Sequence, residues 1–216
     1  MSFARADRHR GSTGGFTLIE VLISILLFGI IAAVCYQGLA AVINARERVS
    51  AENRKWRSIA LAFTRLELDL AAIVDRPVHG PAGTMQASSL IGNPSYLPQE
   101  ATLMFSREGE PDASGNPGIP VRTGYRLREG SLEVLTWPVL DAAPSVQALA
   151  TPLLDGVAQL ELAYLTADGQ QGVVWPLGLT VAPGGFTAPA GVSVRLTLRD
   201  GTQVSRLFAL GAPGIR

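Results

Sequence analysis

The chain has 216 residues, enough for one domain or one domain with an appendage. Its 18 basic residues balance 18 acidic ones, so the zero net charge gives no electrostatic case for nucleic acid as a partner. Hydrophobic residues make up 47% of the chain, with part of the excess near the N-terminus, where the single cysteine, Cys35, excludes an intramolecular disulfide.

The first predicted element is a membrane span. No residue between Glu20 and Arg46 is charged. The run Val21–Ala45 exceeds the roughly 20 helical residues that cross a hydrocarbon core of about 30 Å. Arg5, Arg8 and Arg10 precede it against Asp7. That flank orients the N-terminus to the cytoplasm and the rest of the chain outward. A cleaved secretory signal has a shorter apolar region closed by a small-residue site, whereas this run contains Val34-Cys35-Tyr36. A plain signal anchor fits the hydropathy as well. The residues ahead of the run are more distinctive: Gly14-Gly15 is followed by Phe16-Thr17-Leu18-Ile19-Glu20.

This arrangement resembles the signal of the type IV prepilin-like superfamily: a short basic leader, Gly, Phe, three further residues, Glu, and a long apolar helix. The resemblance implies cleavage between Gly15 and Phe16 by a prepilin peptidase on the cytoplasmic side. It also implies methylation of the Phe16 nitrogen and retention of the apolar segment in the mature chain. Glu20 is thereby assigned to assembly, facing the terminal amine of a neighbouring subunit. A lone acid near the end of a membrane helix is costly. The other reading of Glu20 is a carboxylate hydrated at headgroup depth.

Beyond Ile43 the chain turns polar without a break signal. One helix is predicted from Phe16 to Asp75, with residues 1–15 as leader, 16–43 in the membrane and 44–76 amphipathic. Asp75-Arg76-Pro77 stops it. Val49, Trp56, Phe63 and Leu70 recur every seven residues, and Ile59, Leu66 and Ile73 form a second set at the same spacing. Together they form an apolar stripe on one face. Arg54, Arg57, Glu67 and Asp69 are assigned to the polar side. The stripe either packs on the protein's own sheet or pairs with another chain as a coiled coil, and the two uses can divide the helix between them.

Residues 77–216 read as a β-rich domain. His79–Gln99, rich in Gly, Pro and Ser, reads as a loop. Ala101–Ser106 is a predicted strand. Three hairpins follow: Arg122–Arg128 with Leu132–Trp137 around Glu129-Gly130-Ser131, Val157–Thr166 with Gln171–Leu177 around Asp168-Gly169, and residues 192–199 with Thr202–Leu210 around Asp200-Gly201. Leu160, Leu162 and Tyr164 share one face of their strand. Val192, Val194, Leu196 and Leu198 oppose Ser193, Arg195, Thr197 and Arg199. The fold class is α+β, a long N-terminal helix packed on antiparallel sheet.

Within the prepilin-like superfamily, three stretches resemble the minor pseudopilin J family of type II secretion: ALAFTRLELDLAAIVDRPV, LLDGVAQLELAYLTADG and VSVRLTLRDGTQVSRLFAL. The resemblance implies a non-enzymatic subunit in the bacterial inner membrane, single-pass, with a periplasmic domain at the tip of a pseudopilus. Its implied partners are the I-type and K-type minor pseudopilins, the major pseudopilin and the prepilin peptidase. A minor pilin of a type IV pilus and a membrane-anchored periplasmic enzyme are the alternatives.

The chemical inventory is sparse. Of the two histidines, His9 leaves with the leader, and His79 with a membrane Cys35 cannot build a metal site or a Cys-His pair. Asp112-Ala113-Ser114-Gly115-Asn116 spaces oxygen side chains as a calcium loop does, yet Thr123 stands at the twelfth position where an EF-hand needs Glu, so a plain loop is expected. Glu67 and Asp69, two apart on a helix, do not face each other. No catalytic, cofactor-binding or metal-ligating residue is predicted.

Overall fold

The computed structural model describes residues 15–76, 88–93, 101–111, 113–114, 118–140, 146–177 and 188–211. The chain divides into two compact units, Met1–Lys55 and Trp56–Arg216, and one helix, α1 (Leu18–Ala71), contributes to both. Residues 1–14 of the leader, Pro77, His79 and most of the 112–116 loop weighed as a calcium site lie outside the described residues.

In the first unit the described residues are helical from Leu18 onward. The segment is long and apolar enough to cross a membrane, and none of its most apolar stretch is buried within the protein. A helix with apolar side chains all round needs an apolar surrounding from elsewhere.

The second unit is built on α1 residues 56–71 and nine strands among the described residues. These are β1 (Leu90–Gly92), β2 (Leu103–Gly109), β3 (Gly118–Arg128), β4 (Ser131–Trp137), β5 (Leu149–Asp155), β6 (Val157–Leu165), β7 (Gln171–Gly172), β8 (Gly191–Leu198) and β9 (Gln203–Ala209). They form a five-stranded sheet, β1-β2-β3-β4-β5, and a four-stranded sheet, β7-β6-β8-β9. Every pairing is antiparallel.

Two of the three predicted hairpins form as expected, and the one around Asp168-Gly169 keeps only Gln171–Gly172 of its predicted second strand Gln171–Leu177, Trp175 pairing with Gly92 instead. Glu129 and Gly130 carry φ of 53° and 84°, and they join β3 to β4 as the two positive-φ residues of a tight turn. The Arg199 guanidinium lies against Gly130, and its Nη2 donates to the Glu129 carbonyl. On β8, Val192, Val194, Leu196 and Leu198 are all buried. Val157, Leu162 and Tyr164 on β6 are buried with them.

The helix ends earlier than predicted. After Ala71 the chain runs extended beside β2: the Val74 N–H donates to the Ser106 carbonyl, the Glu108 N–H to the Ala72 carbonyl and the Ser106 hydroxyl to the Arg76 carbonyl. These bonds satisfy backbone groups that a further helical turn would have used, so the helix gives way at residue 72 rather than at Pro77. Two strands also depart from expectation. β1 lies inside the stretch read as a loop, and β5 lies in residues with no strand assignment.

Both sheets meet the helix in one core. Ile59, Ala62, Phe63, Leu66 and Leu70 pack with Leu103, Phe105 and Tyr125 of the larger sheet and with Val192, Val194 and Phe208 of the smaller one. Phe63 and Phe208 place their ring centroids 6.2 Å apart. A smaller cluster of Ala101, Met104 and Leu135, with Trp137 against it, covers the other face of the larger sheet.

Candidate processing and assembly site

At the N-terminal end, Gly15, Phe16 and Thr17 are non-helical and exposed, and α1 starts at Leu18. The Thr17 carbonyl accepts from the N–H groups of Glu20 and Val21, at 3.1 and 3.3 Å. Thr17 therefore stands at the cap, with Glu20 three residues on, the spacing of a capping box. Glu20 is the acid of the first turn, where the helix dipole favours negative charge. Its side chain is exposed, and its carbonyl accepts the Ser24 hydroxyl at 2.7 Å. Gly15, Phe16 and Glu20, the residues expected to serve processing and assembly, thus lie within two turns of one another on exposed chain. The Thr-x-x-Glu spacing of this cap is present in the sequence, overlaid on the start of the apolar run.

The apolar stripe divides. Ile59, Phe63, Leu66 and Leu70 are buried in the core, with Phe63 only 4% exposed, and Ile73 packs against its edge. Val49 is 60% and Trp56 46% exposed. A regular seven-residue spacing thus runs through positions with two different fates.

Asp69 corrects the reading of the polar side. It is 4% exposed and lies among the core positions rather than off the stripe. Its Oδ2 accepts from the Tyr125 hydroxyl at 2.6 Å and from Arg65 Nε at 3.0 Å. Arg107 Nε stands 3.4 Å from Oδ1 and donates to Thr123 Oγ1 at 3.0 Å. A buried carboxylate is tolerable only when neighbouring groups replace its water, and here Tyr125 and Arg65 donate to it while Arg107 adds a nearby positive charge. Burial, and next the Asp69 charge, push the Tyr125 phenol well above the usual range, so it is held as a donor. Glu67 remains on the surface and pairs with Arg206 at 3.0 Å. The network fixes the end of the helix on β3. Among the described residues no group of acidic, His and Cys side chains has the arrangement of a metal site.

An apolar helix that starts at a capped, exposed N-terminus and ends on antiparallel sheets is the build of a pilin-like membrane subunit. Residues 10–36 match the prokaryotic N-terminal methylation motif, and residues 37–210 match the family described as type II secretion system (T2SS), protein J. Type II secretion system protein J of Escherichia coli is 30% identical over 142 residues, covering 65% of this chain and 71% of that protein. The protein of the same name from Vibrio cholerae is 27% identical over 206 residues, covering 94% of this chain and 89% of its own length. A chain in the crystal structure of the GspK–GspI–GspJ complex from the enterotoxigenic E. coli type 2 secretion system shares the fold. The TM-score is 0.59 at 24% identity, covering 74% of this chain and 99% of that one. The chain belongs to the family of type II secretion system protein J, the minor pseudopilins of that export machine.

Proposed function

We propose that this minor pseudopilin is a non-enzymatic subunit of the pseudopilus tip, cut between Gly15 and Phe16 by the prepilin peptidase and methylated on the Phe16 nitrogen. Residues 16–43 then hold it in the inner membrane, with the N-terminus cytoplasmic. Residues 44–76 and the β-rich domain 77–216 stand in the periplasm. The observation that carries this reading is the junction of two matches. A methylation-type signal over residues 10–36 leads directly into the protein J family over residues 37–210.

In the tip, Glu20 pairs with the terminal amine of the neighbouring subunit. The two charges attract strongly where water is scarce, and a subunit entering at the wrong height leaves both unpaired. The partners are the I-type and K-type minor pseudopilins and the major pseudopilin. Support comes from the E. coli protein J homologue, whose crystal structure is a complex with GspK and GspI. The exposed Val49 and Trp56 positions continue the buried stripe and offer apolar surface to such a partner.

Co-expression of the chain with the I-type and K-type proteins of its own secretion system tests the reading. The expected result is a stable ternary complex on size exclusion at micromolar concentration, weakened by Trp56→Ala. Separate elution of all three proteins would count against a tip complex.

A further inference from the structure

We infer that the turn of α1 just past the apolar run binds anionic phospholipid headgroups, with Arg46 and Arg48 as the phosphate-binding groups. The inference rests on the membrane reading of the preceding section. It starts from a length. Glu20 and Arg46 bound a run of 25 uncharged residues within one helix. At 1.5 Å per residue the two charges are separated by about 39 Å, close to the roughly 40–45 Å of a bilayer with its headgroup layers. With Phe16 at one headgroup layer and Glu20 just inside it, Arg46 and Arg48 reach the other.

The charge balance there is basic. Residues 44–57 hold Arg46, Arg48, Arg54, Lys55 and Arg57 against Glu47 and Glu52. Glu52 is engaged by Lys55 at 2.9 Å. Arg46 and Arg48 are exposed and have no ion-pair partner among the described residues. Arg46, Ser50 and Arg54 follow at four-residue spacing and line one groove with Ile43, Glu47 and Ala51. Ile43 and Ala51 give that groove apolar wall, Arg46 and Ser50 give it donors for phosphate oxygens, and Arg48, outside the groove, presents a second guanidinium at the same height on another face of the helix. Guanidinium groups take phosphate through paired, charge-assisted hydrogen bonds, and their stems lie along apolar surface while the head stays wet. Basic residues on the exported flank work against the inward bias of positive charge. Orientation is therefore not what they contribute, whereas attraction to an anionic surface is.

The test uses the full chain in nanodiscs containing phosphatidylglycerol and phosphatidylcholine in a one-to-three ratio. Lipids retained after mild detergent release are quantified by mass spectrometry. The expected result is a several-fold enrichment of phosphatidylglycerol over the bulk ratio, lost in Arg46→Gln/Arg48→Gln and kept in Arg46→Lys/Arg48→Lys. Because the comparison is between variants of one chain, leader arginines contribute equally to each. High salt weakens the enrichment if the contact is exposed. Equal lipid ratios in the parent and the Gln variant, with every protein embedded, would overturn the headgroup contact and leave the membrane reading intact. A parent chain that alkaline carbonate strips from membranes would overturn both.

Discussion

Tyr125 donates its hydroxyl to Asp69 at 2.6 Å, tying the middle strand of the five-stranded sheet to the last turn of the helix. Removing the donor leaves a buried carboxylate short of one hydrogen bond. Tyr125→Phe is expected to cost about 1–3 kcal/mol. Asp69→Ala removes the shared acceptor of Tyr125 and Arg65 and the counter-charge of Arg107, and should cost more, about 3–5 kcal/mol. Urea unfolding of a soluble form beginning near Ala45 measures both. An Asp69→Ala loss smaller than that of Tyr125→Phe would contradict the shared-acceptor geometry.

The same domain should weaken in alkali. Burial, then the Asp69 charge, raises the Tyr125 phenol, and burial raises that of Tyr164. The folded state keeps protons that the unfolded chain gives up near its ordinary phenol value of about 10. Stability from these groups is complete below that pH and is lost as pH rises above it. The urea midpoint should hold from pH 7 to about 9 and fall beyond about 10. A smaller fall is expected in Tyr164→Phe, and a midpoint unmoved by alkali would exclude the effect.

Tyr164 offers a contrast with Tyr125. Its ring is buried, but its hydroxyl has no hydrogen-bond partner among the described residues. Tyr164→Phe at neutral pH should therefore be neutral or stabilising by about 1 kcal/mol. Gly92 faces that ring so closely that a Cβ there would overlap it. Gly92→Ala should destabilise by about 1–3 kcal/mol through overpacking, visible as a lower Tm. A destabilised Tyr164→Phe would mean that the hydroxyl has a partner after all.

The divided stripe predicts divided phenotypes. Phe63→Ala should cost about 3–5 kcal/mol of stability, because the ring fills the junction between helix and smaller sheet. Trp56→Ala should change stability by about 0.5 kcal/mol or less, as surface substitutions do. Its effect should be read in binding to other pseudopilins. Comparable unfolding losses for both variants would erase the distinction.

At the membrane end, Glu20→Gln should leave cleavage after Gly15 and insertion intact while reducing crosslinks to neighbouring subunits and export in the same strain. Gly15→Val should block cleavage, detected by intact mass as retention of the leader. Normal crosslinking of the Glu20 variant would return that residue to a hydrated bystander.

How much of this was legible in the sequence varied with the physics of each part. The membrane segment needed only length and an absence of charge. The hairpins announced themselves through Gly-containing turns between alternating strands, and Val192 to Leu198 alternated cleanly because one face is buried. β1 stayed hidden because three residues cannot display a period. β5, with Pro152 in its middle and mostly exposed side chains, carried no alternation either. Asp69 was hidden for a different reason. A period reports which positions are apolar, and a buried carboxylate appears only when Tyr125 and Arg107, distant in sequence, arrive to satisfy it. The early end of the helix likewise depends on Ser106, some thirty residues away in the chain.

Gly156, with φ of 76°, is the single residue between β5 of one sheet and β6 of the other. Its carbonyl accepts the Arg199 N–H at 2.8 Å, while the Val157 N–H donates to the Gly130 carbonyl at 2.9 Å. The corner where the layers change is thus stitched to turns from both hairpins. A tug on the helix through Phe63 reaches the smaller sheet, a tug through Asp69 reaches the larger, and one peptide passes displacement between them. A push delivered to this β-rich body would load both of its layers together, because they share that corner and one core.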